Sequence, residues 1–509
     1  MGALPPLAEN LTAGFGAALL PANLLLGLAG VTLGTAVGVL PGIGPALAIS
    51  MLLPLTFGID PAGAFILFGG LYYGAMYGGS TTSILVRMPG EASSVMTARD
   101  GFRMTRRGRA GAALATAAIG SFVAGTFATA MLMTAAPALV EVALTFGPAE
   151  YAALMVLALA ALAGLGGPSP AKGVAAALIG LAIGTIGIDV QTGQARFTFG
   201  AAGLLGGLDV VVVTVGLFAV GEVFWYAATE VRPAPGAGEE RAQVSGPVRL
   251  TRAEWRRSWP AWLRGTLVGF FCGVLPGAGA TVASFLAYDV ERRSSRRPEE
   301  FGEGAIEGVA GPEAANNASA GGSLVPLLAL GIPGSGTTAV MLAAFQMYGL
   351  QPGPLLFTQD ATLVWALIAS LYVSNFLLLV LNLPLVRVWV QLLRVPRPLL
   401  FAAVLAFATL GVYSLDGSLV DVGAIYVLGL AACVLRGHGV PPAPIVLAVV
   451  LGPLLEQEFR RAMAISGGDP TVFVTRPIAA GLLVLAILAV AAPHLVAAAR
   501  RGRSPRARG

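Results

Sequence analysis

The chain has very little charge: only 11% of its 509 residues are Asp, Glu, Lys or Arg. Soluble domains carry about 25%, so most of this surface faces lipid and a soluble protein is excluded. Cysteine is nearly absent. Cys272 and Cys433 both lie in apolar runs, which leaves no disulfide framework and no thiolate metal site. The two histidines, His438 and His494, stand far apart near the ends of apolar stretches, so they form no metal cluster. Lysine occurs once, at Lys172. The formal charge of +5 comes from arginines spaced between apolar segments, which excludes nucleic acid as a partner. The first residues have no basic n-region ahead of their apolar run, which argues against a cleaved signal peptide.

What is present is apolar and rich in glycine, with 56% hydrophobic residues, 68 glycines and a mean hydropathy of +0.80. The length allows roughly 10–12 membrane segments of about 20 residues. A polar signature interrupts the apolar runs twice. Residues 38–45 read Gly-Val-Leu-Pro-Gly-Ile-Gly-Pro, and residues 273–280 read Gly-Val-Leu-Pro-Gly-Ala-Gly-Ala. A second pair follows in the same order: Gly78-Gly79-Ser80 leads to Pro89-Gly90, and Gly321-Gly322-Ser323 leads to Pro333-Gly334. Proline removes a helix donor and clashes with the preceding turn, at a cost of about 3 kcal/mol in a helix interior. Each signature therefore predicts a helix, a sharp break and a second helix. Irregular backbone at membrane depth is tolerated only beside protein or a water-filled cavity. The predicted fold class is an all-α polytopic membrane protein, built as two repeats with broken helices or re-entrant hairpins.

Arginine placement predicts that the repeats are inverted. Arg99, Arg103, Arg106, Arg107 and Arg109 follow the second motif of the first half, while the matching residues 346–362 hold no basic residue. One span later the relation reverses: residues 137–150 have none, whereas Arg387, Arg394 and Arg397 occupy the counterpart. Basic loops mark the cytoplasmic face. The same topology puts residues 456–476 outside despite Arg460, Arg461 and Arg476, with Glu456, Glu458 and Asp469 as partial compensation. The predicted organisation is a first repeat over 1–228, a cytoplasmic linker over 229–262, a second repeat over 263–499 and a basic cytoplasmic tail over 500–509.

The polar residues at the breaks are the candidate site. Hydroxyls and free N–H groups at a helix start suit a carboxylate, which singles out Ser80, Thr81, Thr82, Asn316, Asn317, Ser323, Ser335, Thr337 and Thr338. Carbonyls freed by a break, with serine oxygens, suit a hard cation such as Na+. The candidates for that role are Gly42, Gly44, Gly277 and Gly279 with Ser80, Ser323 and the acid Glu313. No nucleophile–base pair or nucleotide loop is evident, so the chain is not expected to be an enzyme. Beyond Na+ as a coupling ion, no metal or cofactor is expected.

The run from Glu313 to Met341 (Glu-Ala-Ala-Asn-Asn-Ala-Ser-Ala-Gly-Gly-Ser, continuing to Gly-Ile-Pro-Gly-Ser-Gly-Thr-Thr) closely resembles the large membrane subunit of tripartite tricarboxylate transporters. Residues 38–45 and 77–90 resemble that family's first-half motifs. The resemblance implies a multi-pass permease in the bacterial inner membrane that imports small di- or tricarboxylates by symport. It also implies two partners, a small membrane subunit and a periplasmic solute-binding protein. The second half departs from the first in having Ala280 where Pro45 stands. The alternative is a membrane subunit of an ion-translocating carboxylate decarboxylase complex, which the lack of a dense set of intramembrane acids disfavours.

Overall fold

The computed structural model describes residues 7–40, 43–88, 90–165, 169–189, 191–229, 244 and 246–502. Most of it is helical; among the described residues the strands are a two-residue antiparallel pair, Gly187–Ile188 with Ala195–Arg196. Ten helices, α1 to α10 in chain order, build the centre. The first half supplies α1 (Pro21–Val39), α2 (Pro45–Leu52), α3 (Pro61–Val86), α4 (Val95–Arg106) and α5 (Ala110–Ala143). The second supplies α6 (Arg252–Val274), α7 (Gly279–Ser294), α8 (Glu307–Leu330), α9 (Gly336–Met347) and α10 (Ala361–Asn382).

The Leu-Pro-Gly motifs end helices as their chemistry requires. α1 stops at Val39 and α6 at Val274, at corresponding positions of the two motifs. α6 begins at Arg252, so residues 252–262 of the expected linker, with Trp255, Arg256, Arg257 and Trp259, are helical and run into the second half. Thr251 caps that start: its hydroxyl accepts the Glu254 N–H, and the Glu254 side chain accepts the Thr251 N–H at 2.7 Å. Residues 230–243 of the linker, and 503–509 of the tail, lie outside the described residues.

Among the described residues seven helices are long and apolar enough to cross a membrane, α1, α5 and α10 among them. The two most central helices, α3 and α8, are not in that set. Every residue of α3 from Gly63 to Leu85 is buried, and every residue of α8 from Gly308 to Ala329. Shielded from lipid by their neighbours, they tolerate the serines, threonines and asparagines that lower their hydropathy.

Small residues bring these helices into backbone contact. A methyl group added at Gly30, Gly34 or Gly38 of α1 would stand 2.3, 2.4 and 2.3 Å from the carbonyl oxygens of Leu67, Leu71 and Ala75 on α3. One added at Gly265, Gly269 or Gly273 of α6 would stand 2.2, 2.2 and 2.3 Å from those of Gly311, Ala315 and Ser319 on α8. The same four-residue ladder occurs twice, at the positions the sequence duplication pairs. α3 and α8 meet each other antiparallel: Tyr72 contacts Ser323, and Ser80, further along α3, contacts the earlier residue Glu313. Equivalent helices running in opposite directions are what inversion of one half relative to the other requires.

Ion pairs gather at both ends of α5, whose 34 residues span roughly 50 Å. At its start, Arg109 pairs with Glu254 (2.6 Å), Arg103 and Arg107 with Glu303 (3.4 and 3.3 Å), and Arg257 with Glu307 (2.7 Å). At its far end, Arg476 pairs with Glu150 (2.8 Å); Arg460 pairs with Asp189 (3.1 Å) and Arg196 with Glu456 (2.9 Å). The arginines of 456–476 thus have acid partners, some from other segments. The Gln191 N–H, the Thr192 hydroxyl and Arg460 hold the Asp189 carboxyl down at about 2, so that tie stays charged at neutral pH.

Inversion has a direct test. Cysteines replacing the exposed Arg107 and Gln351 are expected to react with an impermeant maleimide from opposite sides of sealed vesicles. Labelling of both from one side would contradict the inverted arrangement.

Candidate functional site

Two polar clusters lie between α3 and α8. The first forms where the chain leaves α3. Gly90 presses its backbone against both α1 and α3: a methyl group there would stand 2.3 Å from the Gly38 carbonyl oxygen and 2.7 Å from Gly79 Cα. That contact sets Glu91 beside α3, with its Cγ 3.4 Å from where a Gly79 side chain would begin. Glu313 of α8 is fully buried, and its two carboxylate oxygens accept hydrogen bonds from the Ser80 hydroxyl and from the Thr97 hydroxyl of α4 (2.5 Å). Ser93 donates to the Glu91 carboxylate. The Asn317 amide donates to the Ser121 hydroxyl of α5 at 2.7 Å and to the Glu313 carbonyl at 3.1 Å. Ser80, Thr81, Tyr77, Ser121 and Asn382 line a narrow cleft beside this cluster.

The second cluster sits two turns earlier on α3. The Tyr72 hydroxyl lies 3.2 Å from Ser323 Oγ and 3.4 Å from Ser335 Oγ. Ser335 caps α9 by accepting the Thr338 N–H (3.2 Å), and Thr338 Oγ1 accepts the Ser335 N–H (2.8 Å). Thr337 is buried next to them. The Gly277 N–H donates to the Gly334 carbonyl at 3.2 Å, tying the first break of the second half to its second. The N-terminal turn of α9, with Ser335 and Thr337, is a place where backbone N–H groups favour an anion.

The nine residues read as substrate-binding therefore divide. Ser80, Thr81, Asn316 and Asn317 join the first cluster, and Ser323, Ser335, Thr337 and Thr338 the second. The clusters are about 12 Å apart, the rise of eight residues from Tyr72 to Ser80, so one small carboxylate does not touch all of them in this conformation. Thr82 turns back on its own helix and donates to the Gly79 carbonyl at 3.3 Å. The candidate cation residues divide likewise: Ser80 meets Glu313, whereas Ser323 and Gly277 belong with the second cluster. Gly279 opens α7 in the left-handed region at φ 58°, Gly44 precedes α2 with open space around it, and Gly42 lies outside the described residues.

Sequence reasoning missed Glu91, Thr97, Tyr72 and Ser121. Glu91 had a readable signal, an acid directly after a Pro-Gly break in an apolar chain. Tyr72 had none, since it reads as one more aromatic in an apolar run. Among the described residues no three or more His, Cys, Asp or Glu side chains gather as a metal site.

Comparison with known proteins follows the same lines. The model of the family described as "Tripartite tricarboxylate transporter TctA family" matches residues 24–447. An Agrobacterium vitis protein described as "Uncharacterized 52.8 kDa protein in TAR-I ttuC' 3'region" is 48% identical over 486 residues, covering 95% of each chain. A second from the same organism, "Uncharacterized protein in TAR-II ttuC' 3'region", is 52% identical over 222 residues, 44% of this chain and 92% of that one. No solved structure matches.

Proposed function

This chain belongs to the tripartite tricarboxylate transporter TctA family, and from that membership we propose that it is the permease of a binding-protein-dependent importer of small di- or tricarboxylates, driven by a Na+ or H+ gradient. A small membrane subunit and a periplasmic solute-binding protein are its partners in this reading. Membership in a transporter family favours import over the decarboxylase-complex alternative. The observation that carries the reading is the placement of polar groups at helix breaks between two buried, antiparallel, equivalent helices. Breaks of this kind in two halves are where secondary transporters hold substrate and ion.

The second cluster suits the carboxylate. It is built from neutral donors, and no arginine or lysine is among the hydrogen-bond partners described for it. A helix N-terminus contributes about 0.3–1 kcal/mol to anion binding when exposed and up to ~2 when partly buried. Such modest binding releases substrate inward and leaves capture to the periplasmic partner.

Uptake of labelled dicarboxylates and tricarboxylates tests this in cells that supply the partner subunits but lack the native permease. Thr337→Val keeps the side chain's shape and removes a hydroxyl. A hydrogen bond to a charged group is worth about 1.5–3 kcal/mol, so uptake is expected to fall about tenfold or more at unchanged protein level. Asn317→Ala, which frees Ser121, is expected to do the same. Normal uptake in both variants would remove these clusters from the transport path.

A further inference from the structure

The first cluster holds two acids whose charge nothing in it neutralises. Glu91 stands against Gly79 and Glu313 accepts from Ser80, the next residue of α3, and neither acid has an arginine or lysine in an ion pair with it among the described residues. Nearby acids are treated differently. Glu291 of α7 is paired with Arg264 at 2.6 Å, and Asp100 of α4 accepts the Tyr288 hydroxyl and three backbone N–H groups. Tyr72 is a titratable side chain that feels the charge of Glu91.

Asn316 supplies an independent observation. It follows Glu313 by three residues, so the two share a face of α8. Its side chain is fully buried and lies within reach of both carboxyl groups, yet neither its amide nitrogen nor its amide oxygen makes a hydrogen bond of good geometry to them or to any other group. Buried amides are rarely left this way. One donor and one acceptor are waiting between two carboxylates.

We infer that Glu91, Glu313 and Asn316 form the site of the coupling cation, a single monovalent positive charge shared by the two carboxylates. A proton on Glu91 donates to the Asn316 oxygen while the Asn316 N–H group donates to the Glu313 carboxylate, and both orphaned atoms are satisfied. A Na+ ion draws on the same oxygens, with Ser80 Oγ as a further ligand. Glu91 keeps some accessible surface, whereas Glu313 has none.

The duplication sharpens this assignment. With the offset of 244 residues that relates Gly90 to Gly334, Glu91 corresponds to Ser335, Asn316 to Tyr72 and Glu313 to Gly69. The cluster at the first half's break holds acids, Glu91 from that break and Glu313 from α8 of the other half, and the cluster at the second half's break holds hydroxyls. The cation belongs to the first and the anionic substrate to the second. An uncompensated acid pair about 12 Å away repels a carboxylate, so the cation binds first. The inference deepens the transport reading and rests on it.

The test needs no substrate. Thermal unfolding of the purified full-length protein is followed as Na+ replaces choline at constant ionic strength, and separately as proton concentration rises without Na+. The wild-type midpoint is expected to rise in one of these series, which identifies the cation. Glu91→Gln and Glu313→Gln, which keep shape and remove charge, are expected to lose that rise; Asn316→Ala is expected to weaken it and carries the test if a Gln variant does not fold. A wild-type midpoint indifferent to both cations, or an undiminished rise in the variants, overturns the assignment. Because no carboxylate is present, this outcome is independent of whether the protein imports one.

Discussion

Gly269→Ala is expected to cut the yield of folded protein several-fold, and Gly34→Ala, at the corresponding position of the first half, to do the same. At Gly269 the added carbon would stand 2.2 Å from the Ala315 carbonyl oxygen and 2.5 Å from Ala315 Cα. Both are backbone atoms of a buried helix, so no side-chain rotation relieves the clash. α6 and α8 have to separate along the contact that places Glu313 and the asparagines. Overpacking of a close-packed interior costs about 1–3 kcal/mol, and more when backbone moves. Gly423 is the control: a side chain there meets nothing within 4 Å, so Gly423→Ala is expected to leave the yield unchanged. Size-exclusion profiles of the solubilised variants measure this. Equal monodisperse peaks for Gly269→Ala and Gly423→Ala would contradict the backbone contact.

Asp100→Ala is expected to be comparably damaging. Asp100 Oδ1 accepts the N–H groups of Gly302 (2.8 Å), Gly304 (2.7 Å) and Ala305 (2.9 Å), and Oδ2 accepts the Tyr288 hydroxyl at 2.7 Å. Gly302 and Gly304 adopt φ of 90° and 104°, which turns successive N–H groups toward one point as in an anion-binding nest. Removing the carboxylate leaves those donors without an acceptor, at about 1–3 kcal/mol for each buried one. Asp100→Asn keeps one carbonyl oxygen and is expected to lose less. Arg103→Ala breaks only an exposed ion pair worth about 0–1 kcal/mol and is expected to match wild type. Thermal midpoints order the three, and a midpoint for Asp100→Ala equal to that of Arg103→Ala would contradict the assigned role.

Much of this architecture was readable because its causes are local. Helices α1 and α6 end within their Leu-Pro-Gly motifs, at Val39 and Val274, as a proline in the sequence requires, and the duplicated order of Pro-Gly and Gly-Gly-Ser motifs needs no partner to be recognised. The helical start at Arg252 was missed: the glycines and prolines before it suggest a loop and put 252–262 in the linker, although Thr251 and Glu254 stand at capping-box spacing. The acid pair was not readable. Glu91 and Glu313 are far apart in sequence, and what distinguishes them from Glu291 is the lack of an arginine in space. The division of the polar residues into two clusters was hidden for a similar reason. Ser80 and Ser323 occupy like places in the two motifs, but α3 and α8 run antiparallel, so like places face opposite ends.

The most direct test of the account is carboxylate uptake into proteoliposomes that contain this chain with its small membrane subunit and binding protein, under an imposed Na+ or proton gradient. The account predicts that one gradient drives accumulation of a di- or tricarboxylate, and that accumulation stops when that gradient is collapsed. Wild-type proteoliposomes that accumulate none of the carboxylates offered under either gradient would contradict it.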